Sequence, residues 1–239
     1  MLPLMTARYA IADVAALVGE PTRTAILLAL LDGRAIPAGE LAREAGLSAA
    51  ATSLHLAKLT HGGLLTVHKE GRHRYYRLAS VDVAHALEAL GVIATAKAPV
   101  RALSPEKAAM RAARTCYDHL AGALAVALAH KMEREELVGA RGEREYEVTK
   151  DGAKWLAEEM RIDVSALVVG RRPMARRCLD WTERRPHIAG ALGNAILQQM
   201  FAMRWTARIG DSRALRITAR GSEAFARLGL LDGLRAAVA

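Results

Sequence analysis

The hydrophobic pattern of residues 20–78 changes its period once, and this change restricts the fold more than any other feature. Apolar residues first recur at helical spacing in three segments that glycines interrupt. These predicted helices are Glu20–Leu31, Gly39–Ala45 and Ala49–His61. Beyond Gly62-Gly63 the pattern alternates, which predicts two strands, Leu64–His68 and Arg72–Leu78, joined by a turn at Gly71. We therefore expect packed helices followed by a β-hairpin.

The last two helices of this set are predicted to form a helix-turn-helix. A short helix, a tight turn through Gly46-Leu47 and a longer helix capped by Ser48 match the layout in which the second helix enters the major groove of DNA. On that second helix, Thr52, Leu56 and Leu59 are expected to face the core. The candidate DNA-binding residues are Ser48, Ala49, Ala51, Ser53, His55 and Lys58 on its open side, with Lys69, Arg72, His73 and Arg74 on the hairpin.

Four segments in this order resemble the ArsR/SmtB family of winged-helix repressors: "EPTR", "ELAREAGLS", "HLAKL" and "EGRHRYYRL". The resemblance covers about Leu17–Leu78 and implies a winged helix-turn-helix that binds double-stranded DNA and represses transcription. The family more often has polar residues where this chain has Ala49, Ala50 and Ala51. This departure lowers the expected number of base contacts.

The resemblance also implies a homodimer that pairs through the first and fifth helices, here predicted as Tyr9–Val18 and Val81–Ala96. Both helices carry apolar stripes, and a small winged helix offers little surface of its own to cover them. The stripes are Ile11, Val14, Ala15 and Val18 in the first helix, and Val83, Leu87, Leu90 and Ile93 in the fifth.

Charge and motif content favour a DNA-binding protein over an enzyme. The net charge is +9, from 34 basic against 25 acidic residues, which suits a polyanionic partner. We find no P-loop, no strand–GxGxxG–helix unit, no HExxH and no GxSxG. The absence of a signal peptide or long apolar stretch predicts a cytoplasmic protein with reduced cysteines and no membrane partner.

The second half of the chain contains an internal repeat. Aligning His119–Met132 with His187–Met200 gives identical residues at seven positions, and each copy is followed by a T-x-x-G segment, at Thr149 and Thr218. We predict a DNA-binding and dimerisation domain at 1–98, a linker at 99–105 and an effector domain at 106–239. The effector domain would contain two helix–hairpin–helix repeats, about 114–160 and 176–228, in a mainly α protein with small β-hairpins.

The repeat also duplicates a cysteine and a histidine. Cys116 and His119 are expected on one face of a helix, and their counterparts are Cys178 and His187. Thiolate and imidazole suit Zn²⁺ or another thiophilic ion, and Asp118 and Asp180 are candidate acceptors for the histidine N–H groups. Repeated packing residues and the lining of an organic-ligand pocket are the alternatives.

These patterns predict a sequence-specific transcription repressor released or modulated by an effector in its C-terminal domain. The effector could be a metal, a thiol-reactive species or a small organic ligand. One alternative is a protein-interaction module that uses the winged helix on another protein. Another is a metal- or thiol-handling protein built on the Cys–His repeat.

Overall fold

The computed structural model describes residues 4–71, 73–95, 105–168, 172–210, 212–231 and 234. The chain divides into two compact units, Met1–Leu87 and Glu88–Ala239. Most of the predicted linker, residues 99–104, lies outside the described residues, as does Arg72.

The first unit contains four helices and a three-stranded sheet. Its helices are α1 (Leu4–Val18), α2 (Pro21–Ala29), α3 (Ala38–Glu44) and α4 (Ala49–His61). Its strands are β1 (Ile36–Pro37), β2 (Leu65–Glu70) and β3 (His73–Leu78), in the antiparallel order β1-β3-β2. Helix α5 (Val81–Thr95) begins in this unit. This arrangement is a winged helix-turn-helix, as the sequence predicts.

Local side-chain caps set the helix boundaries of this unit. The Glu20 carboxylate accepts the backbone N–H groups of Thr22 and Arg23, at 3.0 and 2.9 Å, so Glu20 caps α2 and is not its first residue. The last two residues of the predicted helix, Leu30 and Leu31, instead belong to a 3₁₀ turn, Leu30–Asp32. The Ser48 hydroxyl accepts the N–H of Ala51 at 3.2 Å and starts α4, with the predicted boundaries.

Helix α4 packs on the core through the face that the sequence predicts. Thr52, Leu56 and Leu59 are buried, each at 1% exposure or less. Leu27 and Leu41, from α2 and α3, are fully buried in the same unit. The apolar contacts therefore fix α4 with its opposite face toward solvent.

The second unit alternates hairpins and helices. Its helices are α6 (Pro105–Ala112), α7 (Ala123–Arg134), α8 (Lys150–Met160), α9 (Gly190–Ala202) and α10 (Ala219–Arg227). Its strands are β4 (Arg114–Cys116), β5 (His119–Ala121), β6 (Val138–Arg141), β7 (Glu145–Val148), β8 (Arg176–Leu179), β9 (Pro186–Ala189), β10 (Thr206–Ile209) and β11 (Ser212–Ile217). The strands form two antiparallel sheets, β10-β11-β4-β5 and β6-β7-β8-β9.

The expectation that Cys116 and His119 lie on a helix is wrong. They belong to the β4-β5 hairpin, and α7 begins only at Ala123. Gly122 separates the two structures: its φ is +88°, and an added Cβ would lie 2.7 Å from the carbonyl oxygen of Arg111. This backbone conformation is not helical, so α7 cannot extend back to Cys116, and any side chain at position 122 would meet both backbone strain and a clash.

No single helix in the described part of the chain has the length and apolar character needed to cross a bilayer. One pair, Ala10–Val18 with Pro21–Asp32, meets these criteria only when its members are taken together, and they are bent by 84°.

Candidate DNA interface and buried Cys–His cluster

The solvent-facing side of α4 is a small, mostly neutral surface. Ser48, Ala49, Ser53 and Lys58 are exposed, whereas Ala51 is half-buried. The hydroxyl of Ser53 donates to the carbonyl oxygen of Ala49 at 2.8 Å. Lys58 is therefore the cation that this face presents, and the two serines are its hydroxyl groups.

His55 is placed differently from its neighbours on α4. Its Nδ1 lies 3.3 Å from Oε2 of Glu20, the residue that caps α2, and the side chain is about one-quarter exposed. The same carboxylate has a lowered pKa, chiefly because it accepts the Thr22 N–H. His55 thus joins α4 to the start of α2, and only part of its ring is available to a partner.

The β2-β3 hairpin, which we call the wing, presents several exposed basic side chains. Lys69 lies directly opposite Arg74 in the antiparallel strand register, and Glu70 lies directly opposite His73. Lys69, His73 and Arg74 are all exposed. Arg77 is also exposed, on the opposite face of β3 from Arg74, and donates to the hydroxyl of Thr66 at 3.3 Å. Of the predicted wing residues, Arg72 alone lies outside the described residues.

Leu54 is a surface feature of α4 that the sequence reasoning missed. It is 68% exposed. It lies one helical turn from both Ala50 and Lys58, which are also exposed. The helical spacing could have identified it, because Leu54 falls outside the stripe formed by Thr52, Leu56 and Leu59.

In the second unit, Cys116, His119, Cys178 and His187 meet in one buried cluster, the Cys–His cluster. One ligand atom from each side chain lies within 4.8 Å of the other three. All four residues are at most 7% exposed, and the two Nε2 atoms are 3.1 Å apart.

Strand pairing explains how unequal spacings in the sequence give equivalent positions in space. Cys116 is directly opposite His119 across β4-β5, and Cys178 is directly opposite His187 across β8-β9. A two-residue turn joins the first pair and a longer loop joins the second. Each hairpin therefore contributes one thiol and one imidazole to the cluster.

A carboxylate stands behind each histidine. Asp118 Oδ1 lies 3.4 Å from Nδ1 of His119, and Asp180 Oδ2 lies 3.5 Å from Nδ1 of His187. Asp118 also pairs with Arg172 at 2.6 Å, and Asp180 with the fully buried Arg114 at 3.0 Å. Each imidazole thus has one nitrogen facing the cluster and the other facing an anion.

The surroundings of the cluster shift the pKa values of Cys116 and His119, the two residues that the first hairpin contributes. A hydrogen bond with Cys178, followed by burial, raises the pKa of the Cys116 thiol well above its usual range. Burial opposes charging of His119, but its hydrogen bonds with Asp118 and Cys116 and the charge of Asp118 outweigh burial and raise the pKa of this imidazole. Two sulfur and two imidazole nitrogen atoms are also a ligand set typical of tetrahedral zinc sites.

Comparisons with known proteins agree with the winged helix-turn-helix. A family model described as a helix-turn-helix domain matches residues 18–68. The HTH-type transcriptional regulator YdfF of Bacillus subtilis is 46% identical over 217 residues, which cover 90% of this chain and 95% of the relative. The HTH-type transcriptional regulator CmtR of Mycobacterium tuberculosis is 40% identical over 87 residues, which cover 36% of this chain and 73% of the relative.

Among solved structures, the winged helix-turn-helix domain of Mb0332 from Mycobacterium bovis matches with 28% identity and a TM-score of 0.36. The match covers 38% of this chain and 83% of that one, which is described as a homodimeric DNA-binding domain of a possible ArsR-family regulator. The relative that spans nearly the whole chain decides the assignment. The chain belongs to the HTH-type transcriptional regulators. Its motifs are those of the ArsR type, and as a member it is a DNA-binding regulator of transcription.

The exposed basic residues described above and the two cysteines of the regulator belong to different units. The α4 face and the wing lie in the first unit, whereas both cysteines lie in the second. YdfF matches 90% of the chain, so its similarity extends beyond the winged helix, whereas the CmtR match covers 36%. These relatives are named as transcriptional regulators and not as enzymes.

Proposed function

We propose that this regulator represses transcription as a homodimer, by placing α4 in the major groove and the wing on the DNA backbone. The observation that carries the proposal is the exposure of three basic side chains, Lys58, Lys69 and Arg74, on the two elements that winged-helix proteins direct toward DNA. Ser48, Ala49, Ala51, Ser53 and His55 would then border the bases or phosphates, together with Arg72 and His73 of the wing.

Exposed apolar side chains support the homodimer. Ile11 and Val14 on α1 are 69% and 41% exposed, and Leu90 and Ile93 on α5 are 48% and 65% exposed. Large apolar residues grouped on a helix face mark protein contacts more often than free surface. Burial of these stripes against a second copy would place two recognition helices on one palindromic site.

The second unit is proposed to be a duplicated effector domain. In support, the first hairpin of each half joins the second hairpin of the other half: Arg114 of β4 pairs with Ala214 of β11, and Arg176 of β8 pairs with Glu145 of β7. Thr149 and Thr218 accept the N–H groups of Gly152 and Gly221, at 3.0 and 2.9 Å, and cap α8 and α10 in the same way. Such equivalences favour two related halves around a pseudo-two-fold axis. An effector bound there would shift the population between DNA-competent and incompetent dimers.

Salt-dependent DNA binding tests the first part of this proposal. The probe is a fluorescent duplex selected from a random-sequence pool, titrated with the full chain at several salt concentrations. Each lost phosphate contact should reduce the slope of log affinity against log salt by about 0.9. We expect Lys69→Ala and Arg74→Ala each to weaken binding and reduce the slope. Arg220→Ala, a matched loss of an exposed charge in the second unit, should leave both unchanged.

A wild-type chain whose affinity does not depend on salt would refute DNA binding through this surface. That result would favour the alternative in which the winged helix binds another protein. Ala49, Ala50 and Leu54 motivate this alternative, because an apolar helix face also suits a protein groove.

A further inference from the structure

We propose that Cys116, His119, Cys178 and His187 form a closed, four-ligand site for a thiophilic divalent cation of the Zn²⁺ type, and that this cation is the effector. The second clause rests on the proposed function, whereas the first does not. The site would be made by the two hairpins β4-β5 and β8-β9, each of which supplies one sulfur and one nitrogen.

The distances suit a tetrahedral ion after small side-chain adjustments. Zinc–nitrogen and zinc–sulfur bonds of about 2.0–2.1 and 2.3 Å place the four ligand atoms of a tetrahedron about 3.3–3.8 Å apart. In the cluster the two Nε2 atoms are 3.1 Å apart, and no pair of ligand atoms exceeds 4.8 Å. The longest separation is therefore at most about 1 Å above the tetrahedral value, and the Nε2–Nε2 distance is slightly below it.

The surroundings of the cluster complete the donor set. A metal-bound histidine usually donates its second ring N–H to a carboxylate, which fixes the tautomer and the ring orientation. Asp118 and Asp180 occupy this position behind His119 and His187. The matched pairs of ligands and carboxylates go beyond what repeated packing residues require, since an apolar side chain would fill the same space at lower cost.

The burial of the four ligand residues indicates which kind of ion would bind there and what the bound ion would do. Two thiolates would neutralise the charge of a divalent ion. The neutral assembly would avoid most of the cost of burying either the ion or the thiolates alone. All four residues are buried and supply four ligands, which leaves no position for water or substrate. Closed four-ligand sites of this type stabilise structure and do not perform hydrolysis. The expected consequence of binding is therefore a change in how the two hairpins are held together.

A chain of contacts leads from the cluster to helix α5. Strand β4, which carries Cys116, pairs with β11. On β11, Arg213 lies 3.4 Å from the carboxylate of Glu88, which is on α5 and only 3% exposed. Helix α5 begins at Val81, within the first unit. A cation that fixes β4 would thereby influence the helix that connects the winged helix to the second unit.

Cobalt binding tests the site without reference to DNA. The full chain is freed of metal with a chelator under reducing conditions and titrated with Co²⁺, which reports thiolate coordination by charge-transfer absorbance. We expect this absorbance to saturate at one Co²⁺ per chain and to be abolished by Zn²⁺. The double variant Cys116→Ser/Cys178→Ser should lose it, and His119→Gln should weaken Co²⁺ affinity. His130→Gln, which changes an exposed histidine on α7, should retain both the absorbance and the affinity.

A folded wild-type chain that gives no thiolate–cobalt absorbance would overturn the site. Circular dichroism of the same sample establishes that it is folded, so the test does not depend on the stability of any variant. A disulfide between Cys116 and Cys178 that resists reduction, with no metal bound, would overturn it as well.

The effector role is tested by DNA titrations of the metal-free and Zn²⁺-loaded chain. We expect Zn²⁺ to change the affinity about 5- to 150-fold, the usual range for coupled sites. Stoichiometric Zn²⁺ with unchanged DNA affinity would make the ion structural and refute the effector role, while leaving DNA binding intact. Stoichiometric Zn²⁺ in a chain that binds no DNA would instead refute the proposed function.

Discussion

Replacement of Asp180 by alanine should strongly destabilise the second unit. Asp180 and Arg114 form an ion pair at 3.0 Å, and both side chains are 0% exposed. The carboxylate also accepts the backbone N–H groups of Gly122 and Thr182, at 2.7 and 2.9 Å. Burial favours the neutral acid, but the nearby charge of Arg114 and hydrogen bonds from the Thr182 hydroxyl and the Gly122 N–H outweigh it and hold the pKa of Asp180 far below its usual range.

The expected loss follows from what remains after the substitution. Removing one member of a buried ion pair leaves the other charge without compensation, which costs about 3–5 kcal/mol. This is a large share of the roughly 5–15 kcal/mol that holds a typical domain folded. Asp163→Ala provides a matched control, because its carboxylate accepts the N–H of Ser165 on the surface, where a cap contributes about 1 kcal/mol.

The assay is urea unfolding of the metal-free, reduced chain, followed by tryptophan fluorescence, since all three tryptophans lie in the second unit. A double-mutant cycle with Arg114→Met separates the ion pair from other effects, and the double variant should be less destabilised than the two single variants added together. A loss of less than 1 kcal/mol for Asp180→Ala, or strict additivity with Arg114→Met, would refute the reasoning.

Three further predictions follow from individual contacts. Gly152→Ala should destabilise the chain by at least about 1–3 kcal/mol, because the added Cβ would lie 1.9 Å from the carbonyl oxygen of Leu137. Gly139→Ala is the control, because its added Cβ would meet nothing within 4 Å. Equal unfolding midpoints for the two variants would contradict the predicted loss. A contact between Leu54 and a thymine methyl group would be lost in Leu54→Ala, and also when uracil replaces thymine in the selected duplex. Each change alone should weaken DNA binding by about 1 kcal/mol. The two changes together should weaken it by less than the sum of the single effects. Full additivity in the anisotropy titration would argue against that contact. Glu88→Gln should leave Co²⁺ stoichiometry intact but reduce the effect of Zn²⁺ on DNA affinity. Asp82→Asn, at an exposed position of the same helix, should leave both unchanged. An unchanged Zn²⁺ effect in Glu88→Gln would exclude coupling through the contact between Arg213 and Glu88.

The winged helix could be predicted from sequence because its signals are local. The Ser48 cap, the stripe Thr52, Leu56 and Leu59, and the turn at Gly71 each specify a short segment by themselves. The contact between His55 and Glu20 could not be predicted, because it joins residues from two helices. Strand β1 was missed because a two-residue strand has no period of its own.

For the Cys–His cluster, the sequence identifies the residues but not the local structure that brings them together. The residues were found from their repetition, but their local structure was predicted incorrectly. Strands β4 and β5 have three residues each, which is too short for an alternating pattern, and the Ala- and Leu-rich segment after them favours a helix. What places the four side chains together is pairing between strands, and the two loops of different length hide that equivalence in the sequence.

Hydroxyl-radical footprinting of the full chain on a selected duplex tests the central claim, that this regulator binds DNA as a symmetric winged-helix dimer. Two recognition helices that follow one face of the duplex should protect two half-sites whose centres are about 10 base pairs, or a multiple of this, apart. The account predicts this symmetric pair of protected regions, and their loss in Arg74→Ala but not in Arg220→Ala. A single asymmetric region, or protection that persists in Arg74→Ala, would contradict it.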